Sequence, residues 1–155
     1  MLGVRMDHLR QDELAETLKR FLCDQTSHKI FTPNPEMLVM ASRDEVFRQI
    51  LNTSDLNVAD GFGLVLASRV LEDQRLERIT GVETLEMLAE ICVKEGKKLM
   101  LLGGLLGVAE QAAQKLGACS IDGGRIEYKN ERWLMDATVL ESIRREAPDV
   151  LAVAL

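Results

Sequence analysis

The chain has 155 residues, which is enough for one domain with its own hydrophobic core. Its formal net charge of −6 argues against nucleic acid as a partner, because phosphate binding requires clustered Lys and Arg. Two histidines, and three cysteines without a Cys-x-x-Cys spacing, argue against a metal site. No apolar run approaches the ~20 residues of a membrane-spanning helix. Composition therefore indicates a soluble cytoplasmic domain.

Helical and strand-like segments alternate along the chain. Apolar periodicity predicts helices at 11–23, 36–51, 63–71, 82–95, 108–116 and 133–146, and strands at 29–31, 56–59, 99–102, 120–121 and 149–155. Repeated strand–helix units predict an α/β fold of the Rossmann-like type: a doubly wound, mostly parallel sheet with helices on both faces. The last apolar run is typical of a parallel strand covered on both faces.

The chain ends inside that last apolar run. A parallel strand ordinarily delivers a loop to the ligand crevice at its carboxyl end, so we expect a single domain over 1–155 whose C-terminal part is missing. An apolar edge strand left without its neighbour also favours self-association into a homo-oligomer or, as the alternative, poor solubility.

Two polar segments follow predicted strands, and ligands in open α/β sheets bind beyond the carboxyl ends of strands. Thr32, Asn34 and Asp60 are therefore expected to converge on one crevice. Asp60 is the candidate general base, with helix capping as the alternative. Thr32 and Asn34 would bind sugar or acceptor groups. The alternative is that their side chains only stabilise the turn around two prolines. Gly61 and Gly63 would let a ligand approach the backbone closely.

The segment Leu101–Glu110 has the pattern of a strand, a glycine turn and a helix start. Gly103, Gly104 and Gly107 would direct backbone N–H groups and a helix N-terminus at a phosphate. The segment lacks a full Gly-x-Gly-x-x-Gly pattern, because Leu102 occupies the position of the first glycine. A tight turn without a ligand is the alternative.

Arg78 is the third of three arginines within ten residues, after Arg69 and Arg75. An arginine fork suits a pyrophosphate because it donates two hydrogen bonds, and a solvated loop is the alternative. No Asp-x-Asp occurs in the sequence. A nucleotide-sugar enzyme built on this sequence would therefore stabilise its leaving diphosphate by cationic side chains and backbone dipoles rather than by a carboxylate-held metal.

Taken together, these motifs resemble the WecG/TagA/CpsF family of bacterial glycosyltransferases, glycosyltransferase family 26. The matching segments are LGVRMD at Leu2–Asp7, TPNPEMLVMA at Thr32–Ala41, ADGFGLVLAS at Ala59–Ser68, RITG at Arg78–Gly81, LLGG and GVAE within Leu101–Glu110, and PDVLAVAL at Pro148–Leu155. Two departures accompany the match: the family's glycine-rich C-terminal segment and membrane-docking tail have no counterpart, and 118–130 matches poorly.

The resemblance implies inverting, metal-independent transfer of a hexosamine-type sugar, N-acetylmannosamine or a relative, from a UDP-sugar. The implied acceptor is a polyprenyl-diphosphate-linked sugar at the inner face of the cell membrane, in teichoic acid or other cell-surface polysaccharide synthesis, with peripheral membrane contact and no cofactor. The implied site residues are Asp60 as base, Thr32, Asn34, Arg78, Gly61 and Gly63 for substrate, and Gly103, Gly104 and Gly107 for the nucleotide.

Two other classes of function stay open from the sequence. The glycine turn, with Asp122 placed where an acid that binds ribose would lie, is compatible with an NAD(P)-binding oxidoreductase domain. The missing C-terminal part is compatible with a nucleotide-binding module that carries out no reaction.

Overall fold

The computed structural model describes residues 1–71, 76–104, 107–121, 126–129 and 132–154. The chain divides into two compact units, Met1–Thr84 and Leu85–Leu155, and each contains parallel strands connected through helices. The pairing confirms the predicted α/β, Rossmann-like class. That 1–155 forms part of one longer domain stays a prediction.

The first unit is built from short parallel strands and the helices between them. Its elements are α1 (Gln11–Cys23), β1 (Ile30–Phe31), α2 (Pro35–Arg43), α3 (Glu45–Asn52), β2 (Leu56–Asn57), α4 (Phe62–Leu71) and the first turn of α5 (Gly81–Glu95). Ile30 lies opposite Leu56 in the parallel pair β1–β2. Just beyond β2, Ala59 forms a parallel bridge to Arg78. Three chain segments therefore run in the same direction and end at one edge.

The segment Leu2–Asp7 lies along β2 and closes the core of this unit. Asn57, which is fully buried, donates from Nδ2 to the carbonyls of Arg5 and Leu51, both at 2.9 Å. Its backbone N–H donates to Asp7 Oδ2 at 2.7 Å. The buried apolar cluster consists of Val4, Met6, Leu38, Ala41, Leu51, Ala59, Leu64 and Leu76. These contacts hold β2 in place, and Asp60 follows it.

The single helix predicted for 36–51 is wrong, because the chain breaks at Asp44. This residue has extended backbone, with φ −120° and ψ 107°, and ends α2. Its Oδ1 then accepts from the N–H of Phe47 at 3.0 Å and starts α3. A side chain that binds the backbone locally favours a cap over a helix interior, although the apolar period continues across the break.

The second unit contains a three-stranded parallel sheet. Its elements are most of α5, β3 (Leu99–Gly103), α6 (Val108–Leu116), β4 (Cys119–Ile121), β5 (Ile126–Lys129), β6 (Arg132–Met135), α7 (Ala137–Glu146) and β7 (Val150–Ala154). The strand order is β4-β3-β7, and every residue of β3 is buried. The expectation that the last strand is covered on both faces is wrong for the described residues, because Leu151 and Val153, which share one face, are 39% and 55% exposed.

The helix predicted for 133–146 is wrong over its first residues. Arg132–Met135 forms β6, which pairs antiparallel with β5, a strand that the periodicity did not predict. The helix begins at Ala137, where the Oδ1 of Asp136 accepts from the N–H of Thr138 at 2.9 Å. Short apolar runs do not distinguish a helix from a strand by periodicity alone, and aromatic and branched residues favour the strand.

Candidate functional site

The residues predicted to line a crevice lie where β1 and β2 end. The N–H of Val58 donates to the carbonyl of Phe31 at 3.1 Å, and the N–H of Asp60 donates to the carbonyl of Pro33 at 2.9 Å. These backbone bonds hold the chain after β1 against the chain after β2. Asp60 is therefore brought beside the turn that contains Thr32 and Asn34.

The carboxylate of Asp60 is anchored through one oxygen. Its Oδ2 accepts from the N–H of Gly81, the first residue of α5, at 3.0 Å. The other oxygen, Oδ1, makes no hydrogen bond within the part of the chain that the structure describes. The partial positive charge of a helix N-terminus favours a carboxylate at this place. Asp60 therefore binds the start of α5 rather than capping α4, and its role as a base stays a prediction.

Thr32 reaches the same point as Asp60. A Cβ built on Gly81 would lie 3.0 Å from Thr32 Oγ1 and 3.6 Å from Asp60 Oδ2. A Cβ contact of 3.0 Å is very tight, so a side chain at Gly81 would press on the hydroxyl of Thr32, whereas 3.6 Å from Asp60 Oδ2 is an ordinary contact distance. The expected convergence of Thr32 and Asp60 is thus observed.

The start of α5 is closed by a capping box between Thr80 and Glu83. The N–H and the hydroxyl of Thr80 donate to Glu83 Oε2 at 2.8 and 2.7 Å, and the N–H of Glu83 donates back to Thr80 Oγ1 at 3.1 Å. The backbone and side-chain bonds from Thr80, with the charge of Arg78, hold the pKa of the Glu83 carboxyl below its ordinary value against the opposing effect of partial burial. Glu83 is therefore charged at neutral pH.

Arg78 lies beside the end of β2 and half of its side chain is exposed. The bridge to Ala59 fixes its backbone, and its guanidinium lies 3.8 Å from Glu83 Oε1, with 48% of the side chain exposed. This distance is long for an ion pair, so the guanidinium keeps donors for an anionic ligand. Arg69 is exposed on α4, and Arg75 lies outside the described residues.

Asn34 is the N-cap of α2. Its Oδ1 accepts from the N–H of Met37 at 2.9 Å. This is a local structural role of the kind given above as the alternative to substrate binding. The amide NH₂ of the same side chain can still donate to a ligand. That Asn34 binds substrate stays a prediction, limited to this donor group.

Gly61 and Gly63 pack against Pro35 rather than standing in open space. Gly61 has φ +125°, which side chains rarely adopt. A Cβ on either glycine would come within 3.3 Å of the proline ring. The structure therefore gives both glycines a packing reason, and their contact with a ligand stays a prediction.

In the second unit, the glycine turn follows β3 and precedes α6. Gly103, Gly104 and Gly107 all have positive φ, at 104°, 78° and 80°, so the turn requires glycine. Gly107 is the N-cap of α6 and provides no side-chain acceptor, which leaves N–H groups of the first helical turn without a side-chain partner. This arrangement suits an anion, although its use for a nucleotide stays a prediction. Residues 105–106, and Asp122 of the oxidoreductase alternative, lie outside the described residues.

The sequence places Thr80 and Gly81 at a helix start within the RITG segment, but sequence reasoning did not connect these two residues, or Glu83, with Asp60. The signal was the pattern Thr-x-x-Glu before the most regular apolar helix of the chain, which is typical of a capping box. The pattern predicts a helix start but does not identify the carboxylate that would bind it.

Neither metal sites nor membrane spans are found in the described ranges. No group of three or more His, Cys, Asp or Glu side chains there could hold a metal ion. No helix in the same part of the chain has the length and apolar character needed to cross a bilayer.

Polar side chains grouped beyond the ends of parallel strands define the ligand-binding crevice of an α/β protein. The chain belongs to the Glycosyl transferase WecG/TagA/CpsF family, whose profile matches residues 1–155. It is similar to the N-acetylglucosaminyldiphosphoundecaprenol N-acetyl-beta-D-mannosaminyltransferases of Staphylococcus aureus strains NCTC 8325 and MRSA252, with 29% identity to each. Each alignment covers 100% of this chain and 62% of the relative, so the chain spans less than two thirds of the length of these relatives.

Proposed function

We propose that this protein is a glycosyltransferase that moves an N-acetylmannosamine-type sugar from a UDP-sugar to a polyprenyl-diphosphate-linked N-acetylglucosamine. Family membership and the names of the relatives support this reaction class and acceptor. The observation that carries the proposal is the carboxylate of Asp60, which is fixed through Oδ2 near Thr32 and whose Oδ1 accepts no hydrogen bond from the described residues. An anchored carboxylate with one free oxygen is suited to general-base catalysis.

In the proposed reaction, Oδ1 of Asp60 removes the proton from an acceptor hydroxyl. The hydroxyl oxygen then attacks the anomeric carbon of the donor sugar from the face opposite the leaving group, and the bond to the diphosphate oxygen breaks. One glycosidic bond forms with inversion, UDP leaves, and the proton stays on Asp60 until solvent removes it. Thr32, whose hydroxyl lies beside this carboxylate, orients the sugar or the acceptor.

The leaving diphosphate requires positive charge or N–H donors. In the first unit, Arg78 is the residue that we propose to bind the leaving diphosphate, because half of its side chain is exposed and Glu83 pairs with it only loosely. The glycine turn at Gly103, Gly104 and Gly107 is proposed separately to bind nucleotide phosphate, on the basis of its own geometry. A metal-independent reaction is proposed because the sequence contains no Asp-x-Asp.

The lipid-linked acceptor implies where the protein would work. A polyprenyl chain lies in the bilayer and its diphosphate sugar at the surface, so we place the reaction at the inner face of the cell membrane with peripheral contact. We propose that the product enters the synthesis of teichoic acid or another cell-surface polysaccharide, as the family resemblance implies. Self-association stays a prediction.

The first test combines binding and transfer. Calorimetric titration with UDP, with NAD as the control, is expected to show binding of UDP alone. Incubation with UDP-N-acetylmannosamine and a short-chain polyprenyl-diphosphate N-acetylglucosamine is expected to lengthen the acceptor by one sugar of inverted anomeric configuration, detected by mass spectrometry and NMR. Binding of UDP without transfer would favour the non-reacting nucleotide-binding module, and binding of NAD alone would favour the oxidoreductase alternative.

A further inference from the structure

The peptide group between Thr80 and Gly81 is held from both sides. Its N–H, from Gly81, donates to Asp60 Oδ2 at 3.0 Å. Its carbonyl oxygen, from Thr80, accepts from the N–H and from the hydroxyl of Thr84, both at 2.9 Å. Because a peptide group is planar and trans, bonds that fix the direction of its oxygen also fix the direction of its N–H. The hydroxyl of Thr84 therefore acts on Asp60 through a single rigid unit.

The residues on either side of this peptide group are held as well. The N–H of Ile79 donates to the carbonyl of Ala59 at 3.0 Å. This bond holds the segment before α5 against the residues that follow β2. Thr80 is then closed against Glu83 by the three bonds of the capping box. The capping box therefore does more than satisfy helix N–H groups, since it sets the orientation from which Gly81 meets the carboxylate.

Thr84 is 4% exposed, so water competes little for its bond to the Thr80 carbonyl. No side chain intervenes at Gly81, where a Cβ would press on Thr32 Oγ1 at 3.0 Å. The arrangement is thus a short chain of hydrogen bonds, from a buried hydroxyl and a capped helix start to the carboxylate at the crevice.

We propose that Thr80, Glu83 and Thr84 are positioning residues for Asp60, acting through the Thr80–Gly81 peptide group. This inference rests on the proposed function, in which Asp60 is the base. Without a fixed N–H on Oδ2, the carboxylate rotates about its terminal torsion and Oδ1 no longer keeps one direction. Since Thr80 and Thr84 touch the base only through this peptide group, their loss lowers kcat and leaves the donor KM almost unchanged. Glu83 also lies 3.8 Å from Arg78, so its loss changes the donor KM as well.

The activity test uses variants that keep the shape of the side chain. Thr80→Val and Thr84→Val each remove one hydroxyl, and each is expected to lower kcat by about tenfold with the donor KM within about twofold of wild type. Thr80→Ser keeps the hydroxyl and is expected to restore kcat to within about twofold. Glu83→Gln keeps the acceptor of the capping box and is expected to retain more turnover than Glu83→Ala.

Asp44→Ala is the matched control, because it removes the N-cap of α3. Among the residues that the structure describes, the Asp44 side chain bonds only the N–H of Phe47. This variant is expected to lower the melting temperature about as much as Thr80→Val and to leave kcat unchanged. If Thr80→Val and Thr84→Val lower the melting temperature but keep wild-type kcat, these residues have only a structural role and the inference is wrong.

A second readout does not need turnover. In ¹⁵N-labelled protein the Gly81 amide proton is expected to move upfield in Asp60→Asn, because the charged acceptor is lost, and to move in the same direction in Thr80→Val and Thr84→Val. Asp44→Ala is expected to leave it in place. If the wild-type chain transfers no sugar, the proposed function fails, and this resonance alone decides whether the three residues position Asp60; an unmoved resonance in both valine variants contradicts the inference.

Discussion

At the scale of single residues, Gly81 shows why a glycine can be required without an unusual backbone. Its φ is not positive, unlike that of Gly61 or Gly103. What excludes a side chain is the hydroxyl of Thr32, 3.0 Å from where a Cβ would lie. The backbone conformation at Gly81 is therefore compatible with alanine, and the added methyl group would be crowded by the hydroxyl of Thr32.

We expect Gly81→Ala to separate stability from activity. Alanine is favoured over glycine in a helix by up to about 1 kcal/mol, which offsets the crowding, so the melting temperature changes little. Turnover is expected to fall by about 10–100-fold, because the hydroxyl of Thr32 must shift from its position near Asp60. Thermal unfolding and initial rates measured on the same preparation provide the check.

The neighbouring variant Val82→Ala is the control for Gly81→Ala. Val82 is 65% exposed on the same turn, so its truncation is expected to leave the rate at the wild-type level. Wild-type turnover in Gly81→Ala would show that the close approach of Thr32, Asp60 and Gly81 is not needed for transfer.

At the scale of elements, β7 is joined to β3 by a polar clamp at the end opposite the glycine turn. The N–H of Lys98 donates to Asp149 Oδ2 at 2.8 Å, and Lys97 Nζ donates to Oδ1 at 3.2 Å. These bonds, the backbone bond first, hold the pKa of the Asp149 carboxyl below its ordinary value of 3.8. The clamp therefore links protonation to the pairing of two strands.

The clamp predicts how stability depends on pH. Because the folded-state pKa of Asp149 is lowered, its stabilising contribution is complete above the ordinary pKa of 3.8 and is lost as the pH falls through the lower folded-state value. The difference in urea midpoint between wild type and Asp149→Asn is therefore expected to be constant from about pH 7 to 5 and to shrink below about pH 4. A difference that stays constant down to the acid transition would show that the clamp contributes nothing through its charge.

The same scale shows which elements the sequence predicts and why others are missed. The helix at Gln11–Cys23 is predicted to the residue, and α6 likewise, because Gly107 and Gly117 punctuate it clearly. The break at Asp44 is missed because the apolar period continues through it while the cap bond is local. The pair β5–β6 is missed because four-residue strands carry too few positions to separate a period of 2 from one of 3.6.

At the scale of the whole molecule, the sequence predicts that Thr32 and Asp60 lie close together, but it does not predict the hydrogen bond from Gly81 that holds the Asp60 carboxylate. Strand ends marked by Pro33 and Gly61 are enough to expect that Thr32 and Asp60 meet, since parallel strands end at one edge. The bond from Gly81 depends on the bridge between Ala59 and Arg78. That bridge joins segments far apart in the chain, and no local pattern encodes it.

Membership of the WecG/TagA/CpsF family assigns the chain to a class of glycosyl transferases. The reaction proposed for it depends on one carboxylate in the first unit, Asp60, and on an acceptor and a transferred sugar taken from the names of its relatives. The central claim is therefore that sugar transfer requires the free oxygen of Asp60.

The most direct measurement of that claim compares wild type with Asp60→Asn in one preparation, by donor calorimetry and by transfer rate. Asparagine keeps the shape and can still accept the Gly81 bond, but it cannot take up the acceptor proton at neutral pH. We expect donor affinity within about threefold of wild type, and turnover lowered by about 10²–10⁴-fold. Near-normal turnover in Asp60→Asn would contradict the assignment of Asp60 as the base.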